Sequence, residues 1–353
     1  MARNRISSPP SKVGPRFYTP HTGSHPAQLK FFRLSRLDPD DFITEISAVF
    51  QRVFSPETTV RNIELPTELA LRMGCNLDQM KVLPDVAVQA LDIAKDPNCS
   101  VTRFSTVVEQ DVKLTTDILR MANTVVFSGG QRITSLHQAI IRLGFRHCKN
   151  LILSSCIGSL MRRMTIQETH IREKLYKHGF LTALISANLN NLYGIRFMGE
   201  EFTSGLIHDL GRALVAMYMP AEFKQVDQLN FVEDDFLLDR EKEVWGTTHC
   251  EVGAWFVQHN MLPDQLTDVV RHHHHPEVTG ENRILTTLVA ASDEIANYVH
   301  QLGAPRDLPI EKLSMLVKLE EVGIERAIEK FADQSTQIVS IALADLCSLN
   351  QRR

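Results

Sequence analysis

The chain has no run approaching the roughly 18 consecutive apolar residues that a membrane-spanning helix needs, so no membrane span is expected. Its first 30 residues carry Arg3, Arg5, Lys12 and Arg16 but no apolar segment, which argues against a secretory signal. Positive charge is not in excess. Lys and Arg total 38 against 42 Asp and Glu, a formal charge of −4, and general binding to a nucleic-acid backbone wants a basic face instead. The cysteines (Cys75, Cys99, Cys148, Cys156, Cys250 and Cys347) are scattered, with no CxxC pair. That pattern fits reduced thiols in a cytoplasm better than a disulfide framework or a thiolate zinc site. Apolar and polar residues do not alternate convincingly anywhere, and no period of about 20–50 residues recurs, so neither a sheet nor a solenoid is expected.

What is present reads as helix throughout, in an ordinary soluble composition of 43% hydrophobic and 23% charged residues over 353 positions. The expected fold is all-α, a multi-helix bundle with helical extensions at both ends. Residues 1–30 are rich in Ser, Pro, Gly and His without periodicity and read as a disordered tail. Residues 31–80 read as an N-terminal helical extension, with one helix opening at Asp40-Asp41 and a second over Thr67 to Met73, closed by Gly74. A run of short amphipathic helices follows over about 82–165. Leu83-Pro84, Ser100 and Ser135 mark starts, and Asn123 and Gly144 mark stops, before an apolar helix from Cys148 to Met161.

The block at 168–300 carries the polar chemistry. One helix is expected from Ile171 to Leu192 with His178 beside Leu175, Leu181 and Leu184. A second runs from Glu200 to Met219 with His208 and Asp209 inside it, and a third from Asp235 to Met261 with His249 and Gly253. Pro263 begins a fourth that reaches His272 to His275 and stops at Pro276, and a fifth, Arg283 to Val299, bears Asp293. Residues 301–353 form a C-terminal helical segment ending in an amphipathic stretch through Ile338 and Leu346.

A lone histidine on an apolar helix face is most often a satisfied core residue, so His178 or His249 alone carries little. Ile207-His208-Asp209-Leu210 carries more, because an unpaired buried aspartate costs several kcal/mol and wants a metal, a cation or a hydrogen-bond network. Asp293 on another apolar helix repeats the argument. Imidazole and carboxylate suit divalent first-row ions, and convergence of these helices would make a metal-sized centre holding one or two ions. Two ions bridged by Asp209, or one held by His178, His208, Asp209 and Asp293, would activate water and polarise a phosphoryl oxygen. Arg212, one turn beyond His208, is placed to contact a substrate phosphate or to be solvated.

The second half resembles the HD superfamily of metal-dependent phosphohydrolases through His178, Gly205-Leu-Ile-His208-Asp209-Leu-Gly211-Arg212 and Asp293. The preceding block narrows the resemblance to the HDOD (HD-related output domain) family. Its motifs are Leu83-Pro84, Ile118-Leu-Arg-Met-Ala-Asn123, Ile133 through Gly144, Asn150-Leu-Ile-Leu, Thr248-His249-Cys-Glu-Val-Gly253 and the histidine run ending in Pro276-Glu277. On that resemblance residues 81–300 are an HDOD domain, with a helical half at 82–165 and an HD-like metal-site half at 168–300.

The resemblance implies a bacterial cytoplasmic signal-transduction protein that works through signalling partners, with a nucleotide or cyclic dinucleotide as candidate ligand. The alternative it implies is a metal-dependent phosphohydrolase acting on a nucleotide or other phosphoester, with Asp209 and Arg212 as catalytic residues. The implied metal ligands are His178, His208, Asp209, His249, His273, His274 and Asp293, for iron, manganese, zinc or magnesium. Two departures stand out beside the cyclic di-GMP hydrolases of the HD-GYP branch. The Gly-Tyr-Pro element is replaced by Val278-Thr-Gly-Glu-Asn, and the lysine after the HD glycine is Arg212.

Overall fold

The computed structural model describes residues 63–350 apart from 76–79, 97, 233, 235, 278–279 and 304–307. The tail at 1–30 and the helix expected from Asp40-Asp41 lie outside the described residues. Among those described there is no strand. The chain begins with α1 (Thr67–Gly74), α2 (Asp85–Ile93), α3 (Val101–Val108), α4 (Val112–Ala122), α5 (Val125–Ser128) and α6 (Leu136–Arg163). It continues through α7 (Thr169–Tyr193), α8 (Glu200–Ile207), α9 (Leu210–Tyr218), α10 (Pro220–Val226), α11 (Leu237–Trp245), α12 (His249–His259), α13 (Asp264–His272) and α14 (Arg283–Leu302). A 3-10 turn at Ile310–Lys312, α15 (Ser314–Glu321) and α16 (Ala327–Asn350) close it.

Local chemistry sets most of these boundaries. Ser100, Asp111 and Ser135 each accept a hydrogen bond from the backbone N–H three residues on, satisfying a donor that the first helical turn leaves open. Gly144 takes φ 80° and ψ 165°, so α6 is two helices laid end to end across that break. The second of them, with α7, builds the centre of the molecule. Leu151, Ile152, Ile157, Leu181, Leu184 and Leu189 are all essentially inaccessible. Around α7 pack α8, α14 and α16, while α12 packs on α13 and α9, and one continuous apolar core links them.

Two expected helices are each divided. The single helix from Glu200 to Met219 is α8 and α9, interrupted at His208-Asp209, where Asp209 adopts φ −98° and ψ 14°. Neither glycine nor proline marks that break, and apolar residues run on both sides, so composition conceals it. Likewise the helix from Asp235 to Met261 is α11 and α12. Gly246, at φ 72°, ends the first, and Thr248 and Glu251 form a capping box that starts the second. That stop-then-start signal was present in Gly246-Thr-Thr-His-Cys-Glu251 and was outweighed by the apolar run beyond it.

Candidate metal centre

The interruption between α8 and α9 has a chemical consequence. Adjacent residues in a continuous helix point about 100° apart, whereas His208 and Asp209 here both reach one point between α7, α12, α13 and α14. Their approach depends on missing side chains. A Cβ on Gly179 of α7 would lie 2.6 Å from the Leu206 carbonyl oxygen, and one on Gly205 would lie 2.9 Å from Ala183 Cα. With hydrogens there instead, α7 and α8 touch backbone to backbone and His178 Nε2 comes within 3.3 Å of His208 Nε2.

Asp209 stands between two groups of donors. Its Oδ2 is 3.5 Å from His178 Nε2 and 3.7 Å from His208 Nε2, and Asp293 Oδ1 lies 2.9 and 3.2 Å from those same nitrogens. On the other side its Oδ1 is 3.4 Å from His249 Nε2 and 3.6 Å from His273 Nε2. His274 Nε2 lies 3.1 Å from His249 Nε2, so His273 and His274 are the two members of the histidine run that face inward, while His275 is exposed. The structure thus brings together His178, His208, Asp209, His249, His273, His274 and Asp293. Arg212 is beside them but turned to carboxylates. Its Nη1 donates to Asp209 Oδ2 at 2.7 Å, and Nε and Nη2 donate to the two oxygens of Asp227 at 2.7 and 3.0 Å.

These donors fit a cation. Nδ1 of His208 donates to the Gly205 carbonyl at 2.8 Å, Nδ1 of His273 to the Val270 carbonyl at 3.0 Å, and Nδ1 of His249 to Glu241 at 2.7 Å. Each such bond fixes the tautomer that leaves Nε2 as an inward-facing lone pair. Two of these lone pairs, on His249 and His273, stand 3.4 Å apart and repel unless something positive lies between them. Asp209 Oδ1 and Asp293 Oδ1 are also buried without a hydrogen-bond donor, a costly state that a metal bond relieves. The fields agree. Burial opposes charge on His208, yet Asp209 and Asp293 raise its pKa to about 9, so their negative field draws a cation to Nε2, a proton where no metal holds that nitrogen. Burial would likewise protonate Asp209, but Arg212 and His208 hold it well below the usual carboxylate range. His274 is pushed well below the usual histidine value, by burial first and then by His273 and His249.

Four residues beyond the sequence expectation belong here. Glu241 orients His249 through the ring and also accepts from its backbone N–H at 2.8 Å. Asp227 secures Arg212. Phe231 stacks on His178 with ring centroids 4.6 Å apart, and His300 stacks on Phe231 at 4.4 Å. Glu241, Asp227 and Phe231 share no helix with a ligand, so nothing local singled them out, whereas His300 lies two turns beyond Asp293 on α14 and that i, i+7 spacing was the one available signal. The centre is shielded from solvent except at His274, which is half-buried. His178, His208 and His249 are wholly buried, and Asp209 and Asp293 are 4% exposed.

Comparison with known proteins follows the same lines. The HDOD domain family profile matches residues 80–276. An uncharacterized protein of Treponema pallidum (strain Nichols) is 24% identical over 293 residues, which cover 81% of this chain and 56% of that one, so the chain spans about half of that curated relative. The crystal structure of an HDOD domain protein of unknown function from Geobacter sulfurreducens superposes with a TM-score of 0.64 at 23% identity, covering 80% of this chain and 97% of that one. A "Putative phosphohydrolase" from Shewanella amazonensis gives a TM-score of 0.60 at 20% identity, covering 81% and 100%. At such identities the two structures establish the fold alone.

Proposed function

The chain belongs to the HDOD family, and from that premise we propose that it is a signal-transduction module that holds a divalent metal in a closed centre and acts through protein partners. One observation carries the reading: the candidate ligands converge while the α7 side of their cluster is covered. Phe231 and His300 cover His178, and the guanidinium that a substrate phosphate would need is already shared between Asp209 and Asp227.

His178, His208 and Asp293 would hold an ion on one side of Asp209, and His249, His273 and His274 on the other. A bound ion supplies Lewis acidity and lowers the pKa of a coordinated water. The residues of this chain do the rest. Glu241, Gly205 and Val270 orient the imidazoles, Arg212 balances the charge of Asp209, and Phe231 keeps bulk water from the α7 side. That division suits a centre that stabilises one arrangement of α7, α9, α12 and α14 and presents it to a partner in a bacterial signalling pathway.

The experiment is a turnover screen beside partner capture. Metal-loaded full-length chain is expected to hydrolyse cyclic dinucleotides, nucleotides and a generic phosphodiester no faster than Asp209→Ala. Crosslinking in the native host is expected to recover the same signalling protein across growth states. Turnover well above the Asp209→Ala control would overturn the reading in favour of a metal-dependent phosphohydrolase, which the completeness of the ligand set otherwise favours. In that case Phe231→Ala should raise the rate by opening the roof over His178.

A further inference from the structure

We propose that Cys250 is a metal ligand, so that His249, Cys250, His273 and His274 form a three-histidine, one-thiolate site for zinc(II). This rests on the metal-centre reading above and adds to it a sulfur donor and a metal preference. The first signal in the sequence pointed the other way, since six scattered cysteines with no CxxC pair give no thiolate cluster. The fold supplies what spacing did not. Because α12 begins at His249, directly after its Thr248 cap, His249 and Cys250 occupy the first turn, where both side chains are buried against the end of α13.

The geometry favours coordination over mere packing. The four ligand atoms lie within 4.8 Å of one another. Bonds of about 2.0–2.1 Å to nitrogen and about 2.3 Å to sulfur, set tetrahedrally, place nitrogens about 3.3 Å apart and nitrogen and sulfur about 3.5 Å apart. The observed separations are 3.1 Å for His249–His274, 3.4 Å for His249–His273 and 3.4 Å for Cys250 Sγ to His249 Nε2. The thiol makes one of these contacts, to His249 Nε2, and all three separations match tetrahedral edges that meet at that nitrogen. Glu241, held to His249 on the side away from the cluster, prevents that ring from turning out.

Four protein donors complete a tetrahedral shell, the closed form that structural zinc sites take, with no position left for an activated water. Thiolate ligation also separates the two halves of the centre by chemistry. The side built from His178, His208 and Asp293 offers only nitrogen and oxygen, while the Cys250 side favours a thiophilic ion over magnesium or manganese. On binding, the thiol proton leaves to solvent and the ion takes its place on sulfur.

The test uses full-length protein. Zinc-edge X-ray absorption on the zinc-loaded wild type should show a sulfur scatterer at about 2.3 Å. Cobalt(II) loading should give a near-ultraviolet thiolate-to-cobalt charge-transfer band, absent in Cys250→Ser and kept in Cys156→Ser, a buried thiol of α6. Excess magnesium should leave the band unchanged. Zinc bound with only nitrogen and oxygen neighbours, and cobalt bound without the band, would overturn this inference while leaving the metal centre standing. Failure of the wild type to bind either ion would overturn both. The X-ray measurement needs no variant, so a misfolded Cys250→Ser leaves the proposal testable.

Discussion

Gly211→Ala is the sharpest perturbation of the centre that replaces none of its ligands. Gly211 sits where α9 crosses the start of α12. A Cβ there would lie 1.8 Å from the His249 carbonyl oxygen, 2.6 Å from its carbonyl carbon and 2.9 Å from Gly253 N. Ordinary contact begins near 3.4 Å, so the two backbones must part by 3.4 − 1.8, about 1.6 Å, and neither is the flexible end of a side chain. Metal–ligand distances tolerate only about 0.2 Å. A displacement several times larger carries His249 away from Asp209, from which it now stands 3.4 Å. Overpacking of this kind costs about 3 kcal/mol, and at about 2–4 °C per kcal/mol the Tm should fall by roughly 6–12 °C. Calorimetry and metal content on the same preparations read both effects. Gly280→Ala, where a Cβ meets nothing within 4 Å, should change neither. A Gly211→Ala protein that melts with the wild type and binds metal equally well would refute the claim that this crossing sets the ligand geometry.

Glu241→Gln should weaken metal binding by about 10–100-fold with an unchanged helical circular dichroism spectrum, because it alters only the group that orients His249; competition against a chelator measures it. Glu201 of α8 is buried, and burial lifts its carboxyl to about 7, although it accepts a hydrogen bond from Gly199 N at 2.9 Å. A raised carboxyl stabilises the folded chain below its unfolded value of 4.5 and loses that contribution as pH climbs through 7. The stability of Glu201→Gln relative to wild type should therefore rise between those values, by on the order of 3 kcal/mol, in denaturant titrations across the window. Asp345 on α16 accepts from Val125 N through both oxygens, at 2.9 and 3.0 Å, and thereby anchors the C-terminal helix to the start of α5. Asp345→Ala should cost about 1–2 kcal/mol by calorimetry and leave metal content untouched.

The helices were legible where residues speak locally. Ser100, Ser135, Gly144 and Gly194 announce their boundaries through hydroxyl caps and left-handed backbone, and the structure uses each of them. The break at His208-Asp209 was not legible, because it is held by tertiary contact with α7 and α12 and not by a turn residue. For the site, residue types on apolar helices pointed to His178, His208, Asp209 and Asp293, the resemblance to the HD superfamily added His249, His273 and His274, and the fold gathers all seven. Glu241, Asp227 and Phe231 escaped because they act on the ligands through space from separate elements, and His300 because its part, stacking on Phe231, depends on a residue far away in sequence. Cys250 escaped for a different reason, since a thiol beside one histidine means little until the other two histidines are seen to arrive from α13.

The most direct measurement is bound metal by elemental analysis of untagged protein, wild type beside Asp209→Ala. Asp209 touches both groups of donors, so the wild type should carry about one or two ions per chain and the variant should lose them while remaining folded. Wild-type protein that purifies without metal and takes none up on incubation with zinc, manganese or iron would contradict the claim that these side chains form a metal centre.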